Sequence, residues 1–171
     1  MNYTASVIES YCTPNDEKII QVAQAVQSKC IDQFDSEEVI NALLSFTQAI
    51  EYKAESVDLA KYPLETIFER GDCEDLSILF GSLVETLGYA AVILIIAYYD
   101  EFLGQWFGHA CVGVYLSFTP TAHLGYPPSY SYEIDGLDYW ICETTAQGYM
   151  IGHLPTSSPS YYVVEGYALI N

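Results

Sequence analysis

The spacing of apolar residues changes at Gly88, and the change restricts the chain to folds in which helices precede a sheet. Before Gly88, apolar residues recur every three or four positions. Ile19, Val22, Ala23, Val26 and Cys30 share one helical face. Val39, Leu43, Phe46 and Ile50 repeat the pattern to about Tyr52, and Leu76, Leu79, Phe80, Leu83, Val84 and Leu87 repeat it again. After Gly88 the period is that of strands. Tyr89 to Tyr98 is rich in β-branched and aromatic residues, as a buried strand is. From Gly108 to Phe118, His109, Cys111, Gly113 and Tyr115 take one side and Ala110, Val112, Val114 and Leu116 the other. Leu137 to Thr144 reads as a third strand, Gly148 to Gly152 as a short fourth and Tyr161 to Ile170 as the last. Thr119 to Gly136, with Pro120, Gly125, Pro127 and Pro128, reads as one long loop. Helices first and strands afterwards define an α+β class with a mostly antiparallel sheet.

Helix boundaries are marked by capping residues. Thr13 with Pro14 reads as an N-cap followed by proline at the first helical position. Asp35 with Glu38 reads as a second cap, and Pro63 opens a short helix from Leu64 to Phe68 after a connection from Lys53 to Tyr62. At Asp72-Cys73-Glu74-Asp75, Asp72 is a cap residue and Asp75 stands three positions on, so Cys73 falls in the first turn of the helix that Gly88 ends. The 171 residues are 51% hydrophobic, enough for one sizeable core, and a single domain over 1–171 is expected.

The formal net charge is −18, with five Lys plus Arg. That excludes nucleic acid and anionic membrane surfaces as expected partners, because both need basic patches. It favours neutral or cationic partners. No apolar run reaches the length of about 18 residues that a transmembrane helix needs. Met1-Asn2-Tyr3-Thr4-Ala5 lacks a basic start followed by an apolar stretch. A cytoplasmic location is therefore the expectation. The five cysteines include no C-x-x-C pair, so neither a metal nor a redox pair is expected. Cys30, Cys111 and Cys142 lie in apolar stretches and read as small buried hydrophobes. Cys73 stands instead among polar residues.

A cysteine nucleophile needs thiolate character, an imidazole to move its proton and a group to orient the imidazole. The helix start favours a thiolate at Cys73, while Glu74 and Asp75 oppose it. Of three histidines, His123 and His153 lie in turn-rich segments. His109 lies at a loop-to-strand junction between Gly108 and Ala110. Glu143 closes an otherwise apolar strand, where an unpaired carboxylate is costly. Each has a plain alternative: a strand-end histidine held by a hydrogen bond, and a solvent-facing glutamate. Asp138 is a second choice for the orienting carboxylate.

Gly71-Asp72-Cys73-Glu74-Asp75 with Leu87-Gly88-Tyr89, then Gly108-His109-Ala110, then Tyr139-Trp140-Ile141-Cys142-Glu143-Thr144-Thr145, together resemble the transglutaminase-like branch of the papain-like cysteine-peptidase superfamily, bacterial and archaeal transglutaminase-like proteins above all. The resemblance spans about Asp35 to Pro155. It implies a helix bearing the cysteine packed on an antiparallel sheet, with the histidine and the acid on adjacent strands. It also implies Cys73 as nucleophile, His109 as base and acid, and Glu143 as orienter, the sulfur facing the His109 ring. The chain departs from the family in having Glu143-Thr144-Thr145 where many members have an Asp-x-Thr pattern.

An oxyanion hole would draw on the Cys73 backbone N–H and on Gln48, which otherwise reads as a solvated helix residue; Trp106 would line the pocket beside His109. Tyr126, Pro127, Pro128, Tyr130 and Tyr132 of the long loop would overhang the site. The implied activity is acyl transfer on a peptide or protein substrate through a thioester, with water or an amine as acceptor and no cofactor. No Asp-x-Asp-x-Asp-Gly calcium loop is present. The rival reading is a non-catalytic binding module on the same fold.

Overall fold

The structure, a computed structural model, describes residues 4–54, 59–121, 130–155 and 162–170. Among the described residues, five helices come first: α1 Ala5–Glu9, α2 Glu17–Gln27, α3 Ser36–Gln48, α4 Pro63–Glu69 and α5 Cys73–Thr86. Five strands follow among these residues: β1 Ala91–Asp100, β2 Gln105–Tyr115, β3 Ser131–Ile134, β4 Leu137–Cys142 and β5 Tyr162–Leu169. They form one antiparallel sheet in the order β3-β4-β2-β1-β5, so the class is α+β as the periodicity requires.

The sheet curls. On β5, Glu165 is an extra residue against β1, where the register shifts between Ile95 and Ile96. Tyr132 of one edge strand meets Tyr167 of the other, with ring centroids 5.9 Å apart. The sheet therefore separates two cores. Phe80, Leu83, Ile93, Val112 and Val114 pack between helices and sheet, and Val92, Leu94, Ile96, Cys111 and Ile141 fill the other side. Alternation along β2 divides its residues between them as the sequence predicts.

Helix α5 lies almost wholly in the interior, and its two ends are well defined. The Asp75 carboxylate accepts from the Asp72 N–H at 3.4 Å, half of a capping box. At the other end Gly88 adopts φ +85°, while the Tyr89 N–H reaches Val84 O at 3.2 Å and the Gly88 N–H reaches Glu85 O at 2.9 Å. That is a Schellman cap, and it needs a residue tolerant of positive φ.

Some boundaries differ from the sequence reading. Asp16, not Thr13, caps α2: its Oδ1 accepts from Lys18 N at 2.8 Å. Pro14 instead sits in a turn that the Asp16 N–H closes on Thr13 O at 3.1 Å, a position suited to its fixed φ. α3 ends at Gln48 rather than near Tyr52. Asp35 does cap α3, but the Glu38 carboxylate accepts from Ile31 N and Asp32 N outside the helix. Strand β3 lies within the expected long loop, and residues 148–152 form turns rather than a strand, with positive φ at Gly148 and Gly152. Tyr126, Pro127, Pro128 and His123 lie outside the described residues. Among the described residues no helix is long and apolar enough to cross a membrane, and no cluster of His, Cys, Asp and Glu could hold a metal ion.

Candidate active site

The site lies where β4 leaves the sheet. The last β2–β4 pair is Val112 with Cys142, so Glu143 follows the strand directly and β2 continues toward His109 paired with β1 alone. His109 is 8% exposed and Glu143 1%. The His109 Nε2–H donates to both Glu143 oxygens, at 3.0 and 2.9 Å. Thr145 donates to the same carboxylate through its N–H at 2.9 Å and its hydroxyl at 2.6 Å, and the Tyr162 hydroxyl donates at 2.6 Å. Burial works against ionising Glu143, but the charge and hydrogen bond of His109, with the Thr145 and Tyr162 bonds, outweigh it and hold the carboxyl at about 2. The rings of Tyr98 and Tyr162 stand edge-on to the imidazole, with centroids 5.8 and 6.5 Å away. Among the described residues no group bonds Nδ1 of His109.

Asp138 is elsewhere. It is exposed on β4, where it accepts from the Ser131 hydroxyl at 3.2 Å. Tyr162 carries no distinguishing signal in the sequence, being one of 16 tyrosines, and only the β1–β5 register, Tyr98 opposite Tyr162, brings it here.

Cys73 opens α5 and is 9% exposed. The sulfur is expected to face the His109 ring; the hydrogen bond that the structure gives it is to another group. The thiol donates to Oε2 of its neighbour Glu74 at 3.1 Å. The backbone N–H of Ala110, next to His109 on the stretch of β2 that β4 leaves unpaired, favours the thiolate, but burial and the Glu74 charge prevail and push the thiol pKa well up. The helix-start effect read from the sequence is thus outweighed. Removing the charge while keeping an acceptor, Glu74→Gln, is expected to lower that pKa. Iodoacetamide labelling of Cys73 followed by peptide mass spectrometry should then show the half-maximal rate at lower pH, and an unmoved profile would show that the Glu74 charge does not set it.

Gln48 is neither a solvated residue nor available as an oxyanion donor. It is 3% exposed, and its amide N–H groups go to Glu143 O at 2.8 Å and Tyr149 O at 2.9 Å. Its carbonyl accepts from Gly148 N at 3.1 Å. The side chain ties the end of α3 to the segment that carries Glu143. Its three partners are backbone groups about a hundred residues away in the chain, which no local pattern indicates. Gln48→Leu would leave all three without that partner, and a loss of about 2–4 kcal/mol in urea unfolding is expected.

Trp106 does not line the cleft beside His109. It is half exposed on the opposite face of β2 and packs on Tyr99, with centroids 5.4 Å apart. The cleft, of about 620 Å³, is instead bordered by Tyr52, Tyr98, Asp100, His109, Glu143 and Tyr162. The Cys73 sulfur lies close enough for its charge to act on two of these: it contributes, after burial, to raising the phenols of Tyr52, to about 12, and of Tyr98.

Among solved structures, the chain is similar to a protein of Cytophaga hutchinsonii described as a candidate cysteine protease, with 19% identity and a TM-score of 0.55. The match covers 94% of this chain and 50% of that one, so the chain spans half the length of that protein. No family model matches the chain, and no curated protein does. The likeness is one of fold. The chain has a cysteine-protease-like α+β fold, with a helix that begins at a cysteine packed on an antiparallel sheet.

Proposed function

We propose that the chain is a cysteine-dependent acyl-transfer enzyme of the transglutaminase-like kind, acting on peptide or amide substrates through a thioester at Cys73. The observation that carries this reading is the buried His109–Glu143 pair. Glu143 holds a proton on Nε2, which leaves Nδ1 as the nitrogen that exchanges a proton with Cys73. In the reaction the Cys73 S–H leaves Glu74 and gives its proton to Nδ1. The thiolate attacks the substrate carbonyl and forms a C–S bond. The resulting oxyanion is met by the Cys73 backbone N–H at the helix start. His109 then passes the proton from Nδ1 to the departing nitrogen, the C–N bond breaks, and the thioester remains. Water releases an acid, and an amine releases a new amide; His109 serves as base in either case. The imidazolium formed on the way is stabilised by Glu143, whose ionised state is maintained by Thr145 and Tyr162.

The binding-module reading has one observation in its favour, the thiol held by Glu74 under conditions that disfavour its ionisation. Incubation with activated peptide esters and intact-mass analysis separates the two. An acyl adduct on Cys73, absent from Cys73→Ala and strongly reduced in His109→Ala, supports the enzyme. No adduct on Cys73 with a folded protein would reject it.

A further inference from the structure

The cleft beside His109 combines aromatic walls with a negative rim. Tyr52 and Tyr98 supply rings, and Asp100 and Glu101 supply carboxylates at the β1–β2 turn. All five Lys and Arg residues lie outside its lining. The turn has a defined shape: Asp100 Oδ1 accepts from Phe102 N at 2.9 Å and Leu103 N at 2.8 Å, and Gly104 completes it with φ +65°. The Asp100 side chain is therefore fixed at the mouth of the cleft. Its charge is felt inside, where it adds to burial in raising the Tyr98 phenol. At the floor, Nδ1 of the buried His109 has no partner among the described residues. Ring faces and carboxylates both attract a cation, and the same field repels an anion.

We propose that this cleft selects a cationic side chain, lysine or arginine, in the peptide that reacts at Cys73. The inference rests on the acyl-transfer reading for its reaction, whereas its binding component is testable without chemistry. Ring and carboxylate act together: the alkyl stem of a lysine or arginine would lie along the tyrosines and its charged head would meet Asp100 and Glu101. A glutamate in the same place would face these carboxylates, and none of the five Lys and Arg residues lines the cleft.

Three peptides identical except for Lys, norleucine or Glu beside the reactive carbonyl provide the test. Binding to Cys73→Ser protein, read by fluorescence anisotropy, and acylation of the unaltered protein, read by intact mass, are measured in parallel. The Lys peptide is expected to exceed the Glu peptide by about tenfold, with norleucine between and the gap narrowing in salt. The double variant Asp100→Asn, Glu101→Gln is expected to remove the gap; Asn keeps the Oδ1 acceptor that shapes the turn. Equal binding of the three, preference for Glu, or a Lys preference that survives the double variant would overturn the proposal. Lys-selective binding with no acylation by any peptide would uphold the cleft's selectivity and reject the acyl-transfer reading.

Discussion

Glu143→Gln is expected to lower the rate of Cys73 acylation by roughly a thousandfold or more, the range seen when the orienting carboxylate of such a triad becomes an amide. The cause is local. All the groups around this carboxylate are donors: His109 Nε2, Thr145 N, the Thr145 hydroxyl and the Tyr162 hydroxyl. A glutamine presents N–H where one oxygen stood. The imidazole then has reason to accept at Nε2 and carry its proton on Nδ1, the nitrogen that must act as base. Stopped-flow acylation with an activated ester measures the loss. Asp138→Asn, exposed and bonded to Ser131, should leave the rate within about twofold. The reverse ranking would remove Glu143 from its assigned role. The same substitution should alter acid stability. The folded carboxyl is held at about 2, below its ordinary 4.5, so the ionised form stabilises the fold fully above about 4.5. That contribution is lost as the pH falls from 4.5 toward 2, and Glu143→Gln should flatten the stability profile across this window.

Gly71→Ala should destabilise the protein by about 1–3 kcal/mol, lowering the melting temperature by roughly 3–10 °C. A Cβ at Gly71 would lie 2.4 Å from Asp75 Cβ and 2.7 Å from Asp75 Oδ2. The first of these atoms is fixed to the helix backbone and cannot swing aside. Asp75 is itself tied down, accepting from Lys61 N at 2.7 Å, from Lys61 Nζ at 3.4 Å and from Asp72 N. Room can come only from movement of the first turn of α5, which carries Cys73. Acylation should therefore fall with stability. Thermal unfolding followed by circular dichroism checks the first effect, and an unchanged midpoint would mean that the turn gives way freely.

The sequence displays those parts of the fold that depend on local chemistry. The Asp72 cap, the Gly88 stop and the alternation through β2 each follow from dihedral preference or from solvent on one side, and each is found in place. Thr13-Pro14 misleads because proline at the start of a helix and proline in the turn before it look alike until the carboxylate of Asp16 is seen to take the N–H groups. β3 spans only Ser131–Ile134, too short for periodicity to stand out beside the prolines before it. At the site, His109 and Glu143 are recognisable because a histidine between small residues and a carboxylate among apolar ones are both costly unless used. Gln48 and Tyr162 are not, since their roles depend on which distant backbone or strand they meet. The Cys73 thiol shows a competition between helix start and neighbouring charge, and burial, which the sequence does not display, tips it.

Cys73 belongs to the packing between helices and sheet, whereas His109 projects from β2 on the same side as Cys111, toward the other core. The sulfur and the imidazole thus have separate supports and come together only at β2, where the Ala110 N–H next to His109 acts on the sulfur. A void opened beneath α5 would shift the sulfur and spare the imidazole's alignment with its carboxylate; a void in the opposite core would do the reverse. Stability and reactivity are therefore separable here, and substitutions well away from either group can detune one partner while the molecule remains folded.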